Sequence, residues 1–461
     1  MTPDAALAGI WREAGLPESA LSAISFSGAD PVLPSSFAVG TAAAASIGAA
    51  ALAAATLLQN RGGPATSVSV ALRDAALEFR SERYLRIDGQ PPPPLWDPIA
   101  GLYRTADGWV RLHTNFPHHR DGVLTLLGSA PERSAVAAAL APWSAEEFDR
   151  RATEAGLAVA CLRSFAEWDR SPEGQAVGEE KLVAIERIGE APPQPLPGGR
   201  APLSGLRALD LTRVIAGPVA GRMLARCGAE VLQVSAPHLP QIPPLVIDTG
   251  RGKLSTFLDL REPAAAATLR GLLGKADLFL QSYRPGAISR LGFGAEEVGR
   301  IRPGIIYASL SAYGFSGPWA GRRGFDSLVQ TASGFNQAEA EAAGEENPKP
   351  LPAQALDHGS GQLLAFGIIA ALIRRASEGG SWHVKVSLAR TGLWLRSLGR
   401  VAEGLHCPDP GAEDIPDRLA PAASGFGPLT VVRPAAEFSA ITLPPMRPAM
   451  PLGTHPPRFP T

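Results

Sequence analysis

One carboxylate, Asp357, stands in the stretch LeuAspHisGlySerGlyGln (356–362), directly ahead of the apolar run Leu363–Ile373. The two glycines predict a broken turn that feeds a helix. A carboxylate at such a turn accepts backbone N–H bonds and feels the positive end of the helix dipole. It is expected to stay ionised, exposed and usable as a nucleophile or base. An ordinary helix N-cap is the bland reading of the same residues. Three histidines, His113, His118 and His119, cluster in HisThrAsnPheProHisHis. Metal ligation needs convergent geometry and supporting partners. In a Pro-containing loop these side chains read as polar surface, and no metal site is expected.

The elements that must hold these groups follow from periodicity. From Gly205 onward, apolar strands alternate with helices. Leu206–Leu211, Ala229–Val234, Ala276–Gln281 and Ile305–Leu310 read as strands, and Gly217–Cys227 as a helix. That alternation implies a parallel sheet with helices on both faces. No GxGxxG follows the first strand, so the usual dinucleotide fingerprint is absent. Upstream, ProProProPro (91–94) marks a linker. A hairpin with an Asp-Gly turn follows over 97–114, then helical runs to about Lys181.

The chain also repeats itself. Thr41–Phe79 and Asp357–Leu395 share one pattern at a constant offset of 316: small-residue turn, apolar helix, Gly-containing loop, alternating strand. Val68 pairs with Val384, Val70 with Val386 and Leu72 with Leu388. Thr41 then faces Asp357, so the first copy lacks the carboxylate. No His, Asp or Glu lies within ten residues of Thr41, and Asp30 is just outside that window. One working site per chain is expected. The run Phe37–Leu58 carries no charge and is long enough to span a bilayer. Its Ala-rich composition predicts a buried helix instead.

With 461 residues the chain requires more than one domain. A net charge of −1 offers no global field for nucleic acid or membrane. Three separated cysteines fit a reducing cytoplasm and neither a disulfide framework nor a zinc site. No basic region followed by an apolar run opens the chain, so no signal peptide is expected.

Several motifs stand in a fixed order. They are LeuAspLeuThrArgValIleAlaGlyProValAla (209–220), SerTyrArgProGlyAlaIleSerArgLeuGlyPhe (282–293), SerAlaTyrGlyPheSerGlyPro (311–318) and ArgArgGlyPheAspSerLeuValGlnThrAlaSerGlyPhe (322–335), followed by the Asp357 turn. Together they resemble the class III CoA-transferase family, which includes formyl-CoA and carnitine-CoA transferases and α-methylacyl-CoA racemases. The resemblance covers residues 203–390. It implies that Asp357 is catalytic. It also implies a coenzyme A site at Arg261, Tyr283, Arg284, Arg290 and Arg323, with Val214 and Ile215 at the thioester end. Arginine suits that ligand because its fork donates two parallel bonds to phosphate. Lys253 matches a lysine common in the family.

The resemblance further implies a covalent mechanism in which CoA passes from an acyl-CoA to a small carboxylic acid by way of Asp357. N–H groups around Gly359 and Gly361 would stabilise the oxyanion. Coenzyme A is a co-substrate, with no tightly bound cofactor, and a cytoplasmic homodimer is expected. Two departures bear on activity. The strand end Gln233–Ala236 lacks the family's basic residue, which predicts weaker CoA binding. Phe325 replaces the histidine of the racemases, which disfavours proton exchange by removing one of two opposed acid–base groups. His358 reads as an orienting or surface residue. A racemase or isomerase, or an impaired CoA-binding protein, are the alternatives.

The order of parts differs from the family. The hairpin that starts the family's small domain comes here before the catalytic half. The expected layout is a degenerate copy of the helix–strand region (1–90), a small α+β domain (91–190), a Pro/Gly linker (191–203), a Rossmann-like CoA-binding domain (204–400) and a C-terminal return segment (401–461). The predicted fold is α/β, a parallel Rossmann-like sheet plus a smaller α+β domain.

Overall fold

The structure, a computed structural model, describes residues 1–196 and 198–460. Pro197 of the expected linker and Thr461 lie outside the described residues.

Short, strongly apolar runs from Arg207 onward build the main sheet. Its strands are β1 (Arg207–Leu211), β2 (Glu230–Ser235), β3 (Leu254–Phe257), β4 (Leu278–Gln281), β5 (Ile306–Ser311) and β6 (Ser381–Ser387). They pair in parallel in the order β3-β2-β1-β4-β5-β6. This is a Rossmann-type order, and the direction of winding reverses between β1 and β4. Alternate residues supply the two faces. Ala208, Leu278, Leu280, Ile306 and Ala308 enter one core, and Leu209, Leu211, Phe279 and Tyr307 enter the other. The first face is covered by α2 (Ala216–Arg226) and α3 (Ala355–Glu378), and α1 (Val39–Asn60) packs on α3 beyond them. The second is covered by the helices Pro263–Leu273 and Ala295–Ile301. The fold is α/β, as expected from the strand–helix alternation.

Ala184–Gly189 adds to the sheet antiparallel to β6. It lies within the segment expected to be small domain, yet it belongs to the edge of the large sheet. The small domain has its own core, built on Gly101–Arg104, Trp109–Leu112 and Val159–Cys161.

The two repeated segments run through the same elements. α1 begins at Val39 and α3 at Ala355, an offset of 316. The residues before them have nearly identical backbones: Ala38 at φ −77°, ψ 60° and Gln354 at φ −76°, ψ 62°. The helices Leu72–Glu78 and Leu388–Ser397 begin at the same offset after their strands. α1 and α3 pack directly on each other. Both are long and apolar enough to cross a membrane, but each is enclosed by the rest of the protein. The strand of the first copy, Val68–Ala71, does not join the large sheet. It pairs with Ile24–Ser27 and with Ala436–Phe438 from the C-terminal return segment.

Buried ion pairs tie these parts together. Asp248 accepts from Arg222 at 2.7 Å, Arg251 at 2.8 Å and Ser81 at 2.6 Å. Burial alone would raise the Asp248 pKa, but the two guanidiniums outweigh it and hold the carboxyl well below its usual range. Ser81 belongs to the N-terminal part, so this cluster fixes that part against the large sheet. Lys253 pairs with Asp210 at 2.8 Å, both fully buried, and also donates to the carbonyl of Pro218. Lys253 thus has a structural partner.

Removing the shared acceptor leaves two buried guanidiniums without their counter-ion. Asp248→Ala should lower unfolding free energy by about 3–5 kcal/mol. Breaking the exposed Arg73–Asp417 pair with Arg73→Ala should cost at most about 1 kcal/mol. Urea denaturation of the two variants checks the contrast.

Candidate active site

α3 begins at Ala355, so Asp357 lies inside its first turn and not in a turn ahead of it. Gly359 and Gly361 are helical residues whose N–H groups are used inside α3. They cannot serve as free oxyanion donors, contrary to the expectation from the motif. Glycine at 361 allows close helix contact, because a Cβ there would lie 2.4 Å from the carbonyl of Ala216.

Asp357 is 7% exposed, and the expectation of an exposed, ionised carboxylate does not hold. Burial is the main reason that its pKa is raised well above the ordinary value, and the nearby carboxyls of Asp326 and Glu82 raise it further. Asp326 is wholly buried and accepts the N–H of Asp357 at 2.9 Å. The N–H of Leu356 and the Gln330 amide bond it as well. Burial raises the Asp326 pKa too, but these donors oppose the rise. Of the two, Asp326 therefore keeps its charge more readily, and Asp357 is the one more readily protonated. Glu82 is bonded to His358 Nε2 at 3.0 Å, and His358 stacks on Phe79. His358 is thus buried and held by a carboxylate, not a surface residue.

Asp357 stands between two cavities. A cleft of ≈ 1330 Å³ is lined by Val214, Tyr283, Arg284, Arg323, Phe325 and Asp357, among others. A pocket of ≈ 480 Å³ is lined by Glu82, Arg83, Trp96, His113, Val214, Ile215, Phe325 and Asp357, among others. The cleft opens at the carboxyl ends of β1 and β4, where the winding reverses and where open α/β sheets bind ligands. Val214 lines both spaces and adopts φ 72°, a left-handed conformation that is costly for a β-branched residue. Such strain is characteristic of functional sites.

The cleft is cationic. Arg213, Arg284 and Arg323 line it, and none forms an ion pair with a carboxylate among the described residues. The Arg323 Nε is buried without a hydrogen-bond partner. His118 and His119 also line the cleft. Burial and then its neighbours His118 and Arg323 push the His119 pKa down to about 3. Beside the cleft, Gln233 and Ser235 line a hollow of ≈ 430 Å³ together with Arg213. Arg213 thus supplies a cation where the strand end Gln233–Ala236 has none.

Of the residues singled out from sequence, the structure brings together Asp357, Val214, Ile215, Tyr283, Arg284 and Arg323. Arg261 is exposed and paired with Asp259, away from both cavities. Arg290 is exposed in the turn Ser289–Leu291 and lines neither. Sequence reasoning missed Arg213, although it adjoins Val214 in a quoted motif. It also missed Glu82, Arg83 and Trp96, which come from another part of the chain. Thr41 does have a carboxylate beside it: Asp30 accepts from its hydroxyl at 2.7 Å and its N–H at 2.8 Å.

A cationic cleft ending at a buried aspartate agrees with comparison to known proteins. The profile of CoA-transferase family III matches residues 17–189 and 203–410. The chain belongs to this family. Acetyl-coenzyme A transferase nodX from Hypoxylon pulicicidum is 31% identical over 66% of this chain and 56% of its own. The probable fatty acyl-CoA transferase Rv3272 of Mycobacterium tuberculosis is 35% identical over 45% of this chain and 57% of its own. Succinate–glutarate CoA-transferase of Agrobacterium fabrum is 32% identical over 42% of this chain and 52% of its own. The chain thus spans about half the length of these curated relatives. The orthorhombic crystal form of Rv3272 is 34% identical over 43% of this chain and 57% of that one, with a TM-score of 0.40.

If the unpaired arginines hold phosphate, Arg284→Ala and Arg323→Ala should each weaken CoA binding by about 1.5–3 kcal/mol, with the loss shrinking at high salt. Arg261→Ala and Arg290→Ala should change it far less. Calorimetric titration with CoA measures all four.

Proposed function

We propose that this chain transfers coenzyme A from an acyl-CoA donor to a small carboxylic acid through a covalent intermediate on Asp357. The position of Asp357, facing the cationic cleft on one side and the small pocket on the other, carries this reading. CoA would lie in the cleft with its phosphates on Arg284 and Arg323. The acyl group or the acid would occupy the small pocket. This is consistent with relatives named as CoA-transferases.

The Asp357 carboxylate attacks the thioester carbonyl and expels CoA thiolate, giving a mixed anhydride. The thiolate attacks the aspartyl carbonyl and releases the donor acid, leaving an aspartyl-CoA thioester. The acceptor carboxylate then attacks that thioester and expels the thiolate. The thiolate takes the new acyl group and frees Asp357. Every step needs water kept from the anhydride, which the burial of Asp357 serves. The proposal includes a cytoplasmic homodimer with no tightly bound cofactor. Phe325 occupies the place of the racemase histidine and stacks on His113 with ring centroids 3.8 Å apart.

Asp357→Ala should reduce transfer to below about a thousandth of wild type while leaving the melting curve near wild type. Mass spectrometry after incubation with acyl-CoA should find one adduct per chain, on Asp357. Turnover by the variant, or an adduct elsewhere, would refute the mechanism.

The pH dependence has a defined sign. The nucleophile is the ionised form, so activity should rise with pH through the raised Asp357 pKa. Glu82 is among the charges that raise it. Glu82→Gln removes that charge and keeps an acceptor for His358. The acid limb of kcat/KM should move to lower pH, and an unmoved limb would remove Glu82 from the electrostatics of the nucleophile.

A further inference from the structure

We propose that the ≈ 480 Å³ pocket behind Asp357 selects a short acid carrying a second anionic group, whose far carboxylate is held by Arg83 and His113. The inference rests on the CoA-transfer reading and specifies its substrate class.

Most of the pocket wall is apolar: Leu95, Trp96, Ile242, Leu245 and Phe325. An aliphatic acid would need nothing more. Two side chains do not suit such an occupant. Arg83 opens onto the pocket, is exposed to solvent and forms no ion pair among the described residues. His113 is only 3% exposed, and neither of its ring nitrogens has a hydrogen-bond partner.

A neutral imidazole presents one donor and one acceptor, and burying both unpaired is costly. The ring is held in place by its face on Phe325 and by an edge contact with Trp96 at 5.7 Å. Burial pushes the His113 pKa down to about 3, so it stays neutral through the physiological range and its donor persists. Two other polar groups of the wall are already used: Asn115 accepts from the N–H of Asp97 and donates to the carbonyl of Leu95, and Glu82 is bonded to His358. Among the described residues, the donors of the wall left without a bond include the Arg83 guanidinium, the His113 ring, the Gln354 amide and the Trp96 indole N–H, and of these only Arg83 is charged.

Charge then sets the direction of binding. Glu82, Asp326 and Asp357 line the pocket along with Arg83. An acid with anions at both ends places one on Arg83, which leaves the other to react at the Asp357 thioester. A site built to hydrogen-bond a substrate group rejects the analogue that lacks it far more strongly than an apolar pocket discriminates by size.

The test uses the full chain in the presence of CoA, with glutarate and its monoacid counterpart valerate as probes. Calorimetry with wild type should give at least about tenfold tighter binding of glutarate. In Arg83→Gln and His113→Phe that ratio should fall, and His113→Phe preserves the stacking on Phe325. Equal affinities in wild type, no binding of either acid, or a ratio unmoved by both substitutions overturns the proposal. Adduct formation on Asp357 is scored separately. Arg83-dependent glutarate binding without an adduct supports the pocket assignment and refutes the transfer reading; an adduct without diacid preference does the reverse.

Discussion

The burial of one carboxyl group governs this structure. Asp357 has two other acids beside it and almost no access to water. In the proposed mechanism Asp357 attacks a thioester and forms a mixed anhydride; dehydration would favour the attack and protect the anhydride, at the expense of favouring the protonated form. The surrounding protein answers that expense piecewise. Asp326 spends its own charge on the first N–H groups of α3. His358 takes up Glu82. Arg213, Arg284 and Arg323 of the cleft have no carboxylate partner among the described residues.

Dehydration of the site also explains the packing behind it. α3 is apolar on nearly all sides, because it is covered by α1, α2 and the sheet. A helix that central cannot begin with solvent-exposed N–H groups, and Asp326 supplies their acceptor. Asp30 accepts from the start of α1 in the same way. The two related segments thus share an element order and a method of capping, while their strands are taken up by different sheets.

Much of the large sheet was legible because its strands are short apolar runs separated by helical periodicity. β3, at Leu254–Phe257, is too short a run after a glycine-containing loop to read as a strand. The edge strand Ala184–Gly189 alternates weakly, and its place in the chain points to the small domain. Gly359 and Gly361 point to a turn because glycine usually breaks helices. Here both are helical, and Gly361 is needed for close approach to α2, which depends on a neighbour remote in sequence. The same limit applies to the site. Arg284, Arg323, Val214 and Asp357 lie in motifs that local reading can find. Glu82, Arg83 and His113 lie hundreds of residues from Asp357, and no local pattern connects them to it. The raised pKa of Asp357 is illegible for the same reason: the dipole of its own helix is visible in the sequence, but its burial and the neighbouring acids from elsewhere in the fold are not.

The order of segments governs how the groups around Asp357 come together. Glu82, Arg83 and His113 precede Asp357 in one continuous polypeptide, and the Ser81–Asp248 contact clamps the early segment to the late one. Meeting of these groups is therefore an intramolecular event, governed by an effective local concentration that the tether sets. Dilution does not separate them. An equivalent constellation assembled from two chains would lose its integrity as protein concentration fell.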